Sequence, residues 1–246
     1  MMRMTMKGAL LAAIGAGLLA PGAVAAQTEV TANAGWVSEY YYRGLMQKTS
    51  SASAGLDIAA SNFSAGTWAA DVGDGAEIDL YAGFGVPLTD MVSVSLGGTG
   101  YFYTGQFDDT YLEANLGVAF GPISIEWSLG EYSNFDSPTN PVGKLKYSFV
   151  GITAEQDGLF ATIGTSGVHP ELGDAISDAF GFGGEGLDNT AGAYLEAGYG
   201  FSAMDLDFSI SGIFNDAQLS GEVNGDGDAT QELTLVFGAS KTFALN

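Results

Sequence analysis

The chain has 246 residues, with 29 acidic side chains against 7 basic ones and a formal charge of −22. That excess repels nucleic acid and anionic lipid surfaces, so neither is an expected partner. The sequence contains no cysteine, which excludes a disulfide framework and a lipid anchor on an acylated cysteine, and no apolar run reaches the roughly 18 residues that a spanning helix needs. The 37 glycines and the 12% share of aromatics point instead to β-structure with tight turns.

The first segment reads as an export signal. Met1 to Lys7 carries Arg3 and Lys7 and no acid, and Ala9 to Ala20 is an apolar core too short for an anchor. Pro21-Gly22 breaks it, and Ala23-Val24-Ala25-Ala26 supplies small residues for cleavage after Ala25 or Ala26. Residues 1–26 are thus expected to be a signal peptide and 27–246 one domain; a buried N-terminal helix is the competing reading. An exported chain with neither cysteine nor helical anchor is periplasmic, secreted, or an outer-membrane barrel.

From Val30 to Gln47 the chain alternates with a period of two. Val30, Ala32, Ala34, Trp36, Ser38, Tyr40 and Tyr42 fall on one face, and Thr31, Asn33, Gly35, Val37, Glu39, Tyr41 and Arg43 on the other. Aromatics gather toward one end of this strand, as a membrane–water interface selects. Eleven further segments repeat the design. Leu56, Ile58 and Ala60 oppose Asp57, and Gly66, Trp68 and Ala70 mark a less regular third strand. Ile78, Leu80, Ala82 and Phe84 oppose Asp79 and Tyr81, and Val92, Val94 and Leu96 precede Tyr101 to Tyr103. Leu112 to Val118 carries Glu113, and Ile123 to Leu129 carries Glu126. Leu145, Tyr147 and Phe149 oppose Lys144, Lys146 and Ser148, and Leu159, Ala161 and Ile163 oppose Thr162. Ala193 to Tyr199 carries Glu196, Leu206 to Ile210 alternates with Asp205 and Asp207, and Leu233 to Leu245 closes the series.

The connections separate into two kinds. Ser61-Asn62, Pro87 to Asp90, Gly121-Pro122, Gln156 to Gly158 and Ser202-Ala203 are short, whereas Ser133 to Gly143, Ser166 to Asn189 and Asn215 to Thr230 are long. Short turns at one end and long loops at the other are the asymmetry of outer-membrane barrels, and twelve strands place both termini at the short-turn end. A soluble sandwich would also alternate, with the opposite sense. The acids, however, lie among Ser, Thr, Gly and Asn rather than in the Lys/Glu mixture of a soluble surface. The expected fold is therefore all-β, a single antiparallel transmembrane β-barrel of twelve strands, closed because lipid tolerates no open sheet edge.

The opening run Ala32 to Gln47, with its Asn-x-Gly, Ser-x-Tyr, Arg-Gly and Gln elements, resembles the start of the TorF family of porins of gram-negative outer membranes. Gly66-Thr67-Trp68-Ala69 and the acidic strand Glu77-Ile78-Asp79-Leu80-Tyr81 extend the likeness, which runs through the barrel apart from its loops. The resemblance implies an outer-membrane location and a channel role, and no catalytic residue. The chain departs from outer-membrane barrels that finish on an aromatic, since Phe243 is followed by Ala244, Leu245 and Asn246.

The candidate pore-lining residues are Glu39, Arg43, Asp57, Asp79, Glu113, Glu126, Lys146, Glu196, Asp205 and Asp207, with Lys144 beside them. Their acidic balance would favour cations in an open lumen. Alternatively they form a hydrogen-bonded filling, for instance with Glu39 pairing Arg43; a bore of twelve strands lies between the filled and the open barrels. Arg43 either shapes a constriction or grips a carboxylate bidentately, or locks a loop against the wall.

Other motifs are weaker. Asn224-Gly-Asp226-Gly-Asp228 starts like a calcium loop but has Ala229 and Leu235 where Gly and a bidentate Glu belong. His169, the only histidine, sits beside Ser166 in a Gly-rich loop with nothing rigid to orient it for catalysis. Leu172, Ala175, Ile176, Ala179 and Phe180 have amphipathic helical spacing and fold inward as a plug or pack on the rim.

The expectation is an outer-membrane, porin-like, non-enzymatic channel for passive diffusion of small solutes, with an acidic lumen, no cofactor and no metal. Its partners are membrane lipid, the solutes or cations and the outer-membrane assembly machinery. The alternative is a non-conducting structural or adhesive barrel whose loops bind an external partner.

Overall fold

The computed structural model describes residues 25–133, 145–166, 185–186, 192–217, 219–220 and 231–245. Residues 1–24 of the expected signal peptide, Lys144, His169, the helical spacing at 172–180 and the acidic run at 224–229 lie outside the described residues.

Among the described residues there is no helix, and twelve longer strands form one sheet. In chain order they are β1 (Ala25–Tyr42), β2 (Leu45–Ser61), β3 (Phe63–Gly73), β4 (Gly75–Pro87), β5 (Val92–Tyr103) and β6 (Thr110–Phe120), then β7 (Ile123–Ser133), β8 (Leu145–Gln156) and β9 (Leu159–Ser166). The two-residue β10 (Glu185–Gly186) is followed by β11 (Gly192–Ala203), β12 (Leu206–Asn215) and β13 (Glu232–Ala244). Each longer strand pairs antiparallel with its neighbour in sequence, β9 with β11 across the short β10. The first and last strands join through Thr31↔Ala244 to Val37↔Gly238. The sheet is therefore a closed barrel with no free edge along its wall. β10 adds a short parallel pairing to β8 at Leu145 and Lys146.

Two-residue turns supply several of the tight connections. Arg43 and Gly44 have φ of 48° and 83°, Asp157 and Gly158 of 54° and 83°, and Met204 and Asp205 of 53° and 59°. Positive φ at both central residues matches the right-handed twist of the flanking strands. The turn between β11 and β12 is thus Met204-Asp205, not Ser202-Ala203, and Asp205 is an exposed turn residue rather than a pore-lining one.

The outer wall carries the apolar belt. Leu56, Leu80, Leu96, Leu116, Ile125, Ile152, Leu195 and Leu235 are exposed and face away from the bore. In water that area would be unfavourable, and in a bilayer it is the lipid contact. Phe63, Phe84, Phe120, Phe201 and Phe243 are exposed toward the short-turn end, where an interfacial girdle belongs.

Three stretches reverse the apolar-out assignment. On β3 the inward face is Trp68, Ala70 and Val72, which pack with Tyr40 into a buried apolar cluster inside the barrel. On β8 Tyr147 and Phe149 point inward, so Lys146 falls on the outer face, its backbone opposite Glu131, and does not line the bore. At the end of β1 a register irregularity between Tyr40 and Tyr41 leaves Gln47 of β2 as an extra residue. A bulge bends its strand, and here Tyr40, Tyr41 and Tyr42 all reach inward groups.

Candidate functional site

The tip of the β1–β2 hairpin folds into the barrel and crosses it. In the ring of twelve, β7 stands opposite β1, with β6 and β8 on either side of it. Arg43, in the hairpin turn, reaches those three strands. Its Nη1 is 2.5 Å from Glu113 Oε1 and its Nη2 is 3.1 Å from Glu113 Oε2. The same Nη2 donates to Glu126 Oε1 at 2.7 Å and to Ser128 Oγ at 3.0 Å. The guanidinium lies 4.1 Å from the centre of the Phe149 ring and 5.0 Å from that of Tyr42. Planarity and five fixed donors suit a guanidinium to such a seat, where two carboxylate oxygens meet it in plane and aromatic faces cover it.

Glu113 is the hub. Besides Arg43 it accepts from the hydroxyls of Tyr147 at 2.8 Å, Tyr101 at 3.2 Å and Tyr42 at 3.4 Å, and from Asn115 Nδ2 at 3.0 Å. Its side chain is fully buried and that of Arg43 only 7% exposed. Asn115 also donates to Ser128 Oγ and accepts from Thr99, tying β5, β6 and β7 together below the clamp. A buried carboxylate is tolerable only when paired and hydrogen-bonded, and Glu113 meets both conditions.

The hairpin is held on other sides as well. The Tyr40 hydroxyl donates to Glu77 of β4, which also accepts from Tyr103 at 2.6 Å, and Tyr40 packs edge-on against Trp68. Tyr41 donates to Thr234 of β13 at 3.0 Å. Gly44 lies against Tyr194 of β11, where an added Cβ would be 2.7 Å from the Tyr194 Cβ. Gly130 similarly opens the space that the Tyr147 ring occupies, since a Cβ there would be 2.1 Å from Tyr147 Cζ.

The other predicted lining residues are dispersed. Asp57 accepts from Tyr81 at 2.5 Å and from Asn33 at 3.2 Å on the β1–β4 wall. Asp79 is buried on β4, and among the described residues its Oδ1 has no hydrogen-bond partner. Glu39 and Glu196 line a small pocket beside the hairpin with Val37, Tyr41, Ile213 and Val236. Asp207 accepts from Ser202 at 2.5 Å near the short-turn end. Of the predicted set, the structure brings together Arg43, Glu113 and Glu126, and the pairing of Glu39 with Arg43 is replaced by this clamp. Among the described residues no group of three or more His, Cys, Asp or Glu is placed to hold a metal ion.

The residues missed from sequence are Tyr42, Tyr101, Tyr147 and Phe149, with Asn115 and Ser128. A signal for the tyrosines exists. Phe63, Phe84, Phe120, Phe201 and Phe243 mark the short-turn end and face outward, whereas Tyr101, Tyr103, Tyr111, Tyr132 and Tyr147 gather at the opposite end. A phenol needs a partner when buried, so a tyrosine cluster beside inward acids implies an inward aromatic layer. Toward the short-turn end that layer gives way to Gly83, Gly85, Ser95, Gly117, Gly200, Ser209 and Ser240, which carry little side-chain volume into the bore.

Comparison with solved structures finds chains of similar fold. A structure described as "Unveiling the Mechanism Behind the in-meso Crystallization of Membrane Proteins" is 9% identical, with 88% of this chain and 84% of that one covered and a TM-score of 0.50. OprD of Pseudomonas aeruginosa is 17% identical in one structure and 15% in another, with 89% of this chain covered in both and TM-scores of 0.38. The chain spans about two thirds of the length of those OprD structures, 67% and 65%. No curated protein sequence matches. Residues 22–143, just under half of the chain, match the model of a family described as "Bacterial protein of unknown function (Gcw_chp)".

Proposed function

We propose that the mature chain is an outer-membrane channel for diffusion of small solutes, its bore narrowed by the inward β1–β2 hairpin. The observation that carries this reading is the clamp of Arg43 across a closed, lipid-facing barrel. The acidic inward groups Glu39, Asp57, Asp79, Glu113, Glu126, Glu196 and Asp207 outnumber Arg43, which supports a preference for cations. Residues 1–26 act as a cleaved signal peptide, the short turns face the periplasm, and assembly machinery closes the barrel in lipid. The likeness of Ala32 to Gln47 to TorF porins supports the same role. No enzymatic step is assigned.

The test is conductance of the refolded protein in a planar bilayer under a KCl gradient. Steady openings with a reversal potential favouring K⁺ over Cl⁻ support the channel. Silence from a folded, inserted preparation overturns it. Burial of Glu113, Asn115, Ser128 and Tyr101 in the bore favours a second reading, a non-conducting barrel that meets partners through its loops. Unchanged permeability together with lost surface binding after loop deletion would select it.

A further inference from the structure

The seat of Arg43 has the features of a ligand site. Two carboxylates, one hydroxyl and one aromatic face of the far wall surround the guanidinium, from three strands: Glu113 from β6, Glu126 and Ser128 from β7, and Phe149 from β8, while Tyr42 of its own hairpin lies against it. A wall that needed only to pin a turn could do so with one acid. This seat is complementary to a planar cation on its edge and on its face.

The occupant is delivered on a turn that disfavours it. Arg43 has φ 48°, a left-handed conformation that costs a side-chain-bearing residue about 1–2 kcal/mol, and Asn, Asp or Gly is the usual choice at that position. Asp157, Met204 and Asp205 hold the same conformation in their own two-residue turns without a clamp, so the turn geometry does not call for arginine and the side chain's partners lie across the bore. Elsewhere on the inner wall, Asp79 Oδ1 of β4 is buried without a hydrogen-bond partner among the described residues.

We propose that this seat is a recognition site for solutes bearing a guanidinium or primary ammonium group, and that Arg43 is its tethered occupant. A solute cation that takes the place of Arg43 between Glu113, Glu126 and Phe149 displaces the hairpin and widens the bore for its own passage. Anions meet Glu113 and Glu126 and are refused, and neutral solutes have no charge with which to displace Arg43. The exchange forms and breaks no covalent bond: one cation leaves two carboxylates as another arrives. The solute class rests on the channel reading above; the existence of the seat does not.

The experiment is chemical complementation. Arg43→Ala, refolded in detergent, is titrated calorimetrically with methylguanidinium chloride against an equal ionic strength of KCl. Binding on the order of millimolar is expected, weakened about tenfold or more in Arg43→Ala/Glu113→Gln, which retains the shape of the seat with one of its two carboxylates neutralised. In planar bilayers the same methylguanidinium should reduce the conductance of Arg43→Ala and leave that of the double variant unchanged. No binding to Arg43→Ala, or equal binding to both variants, overturns the proposal. If Arg43→Ala conducts without binding, the seat fails and the channel stands. If it binds in a barrel that never conducts, the channel fails and the seat stands. If Arg43→Ala does not refold, Arg43→Met keeps packing against Phe149 and is titrated in its place.

Discussion

Arg43 Nη1 lies 2.5 Å from Glu113 Oε1, although the two residues are 70 positions apart in the chain and stand on opposite sides of the barrel. Their contact joins the first hairpin to the far wall. It turns a continuous stretch of the barrel's own strands into an obstruction of its bore.

Arg43→Ala should release that obstruction. Removing one member of a buried pair leaves the other charge uncompensated, at about 3–5 kcal/mol. The hairpin is expected to leave the bore, raising unit conductance and exposing residues 41–47 to proteolysis in an otherwise intact barrel. Conductance and protection both equal to wild type would show that Tyr40, Tyr41 and Gly44 seat the hairpin without the clamp.

Glu113 and Asp79 are both buried acids, yet their substitutions should have opposite signs. Glu113→Gln removes the charge that Arg43 and three tyrosines serve, and should lower stability by about 3–5 kcal/mol. Asp79→Asn exchanges a buried carboxyl, whose Oδ1 has no hydrogen-bond partner among the described residues, for an amide that carries no charge at any pH, and should raise stability by about 1 kcal/mol. Urea unfolding in lipid vesicles measures both; equal losses would mean that Asp79 is held by a group equivalent to those on Glu113.

Gly44→Ala tests the turn itself. The position has φ 83° and its missing Cβ leaves room for Tyr194. The left-handed conformation alone costs about 1–2 kcal/mol with alanine, before the clash with Tyr194 is added. A lower unfolding midpoint and a wider conductance distribution are expected. An unaltered midpoint would mean that the hairpin tip does not approach β11.

The lipid face can be tested by depth. Leu116, midway along β6, faces outward, whereas Leu88 lies in the turn between β4 and β5. Leu116→Arg should cost about 2–4 kcal/mol of folding free energy in vesicles, and Leu88→Arg about 0–1 kcal/mol. Similar costs at both positions would remove the membrane from the outer belt.

Strand positions and barrel closure were legible because lipid enforces one rule over most of the wall: apolar outward, small or polar inward. The rule fails where the interior is itself aromatic. Trp68 has Tyr40 to pack against, and Phe149 has the Arg43 guanidinium, so both turn inward and reverse the reading of β3 and β8. Lys146 was misassigned for that reason, and Asp205 because the turn begins two residues later than the Ser-Ala pair suggests. Arg43 itself was legible as a residue that grips a carboxylate. Its partners were not, since Glu113 and Glu126 meet it only through the ring order of the strands and the bend at Gln47. Nothing local in the sequence encodes a contact across a bore.

On the proposed reading the β1–β2 hairpin is a stopper built from two strands of the wall itself, so it cannot diffuse away once dislodged. Its reseating is a first-order event, governed by the high local concentration of a tethered group rather than by any search through solution. Reclosure should therefore proceed at the same rate in a lone molecule as in a crowded membrane. A pore so equipped would need no separate timer: each opening would last only as long as its seat stayed filled by something else.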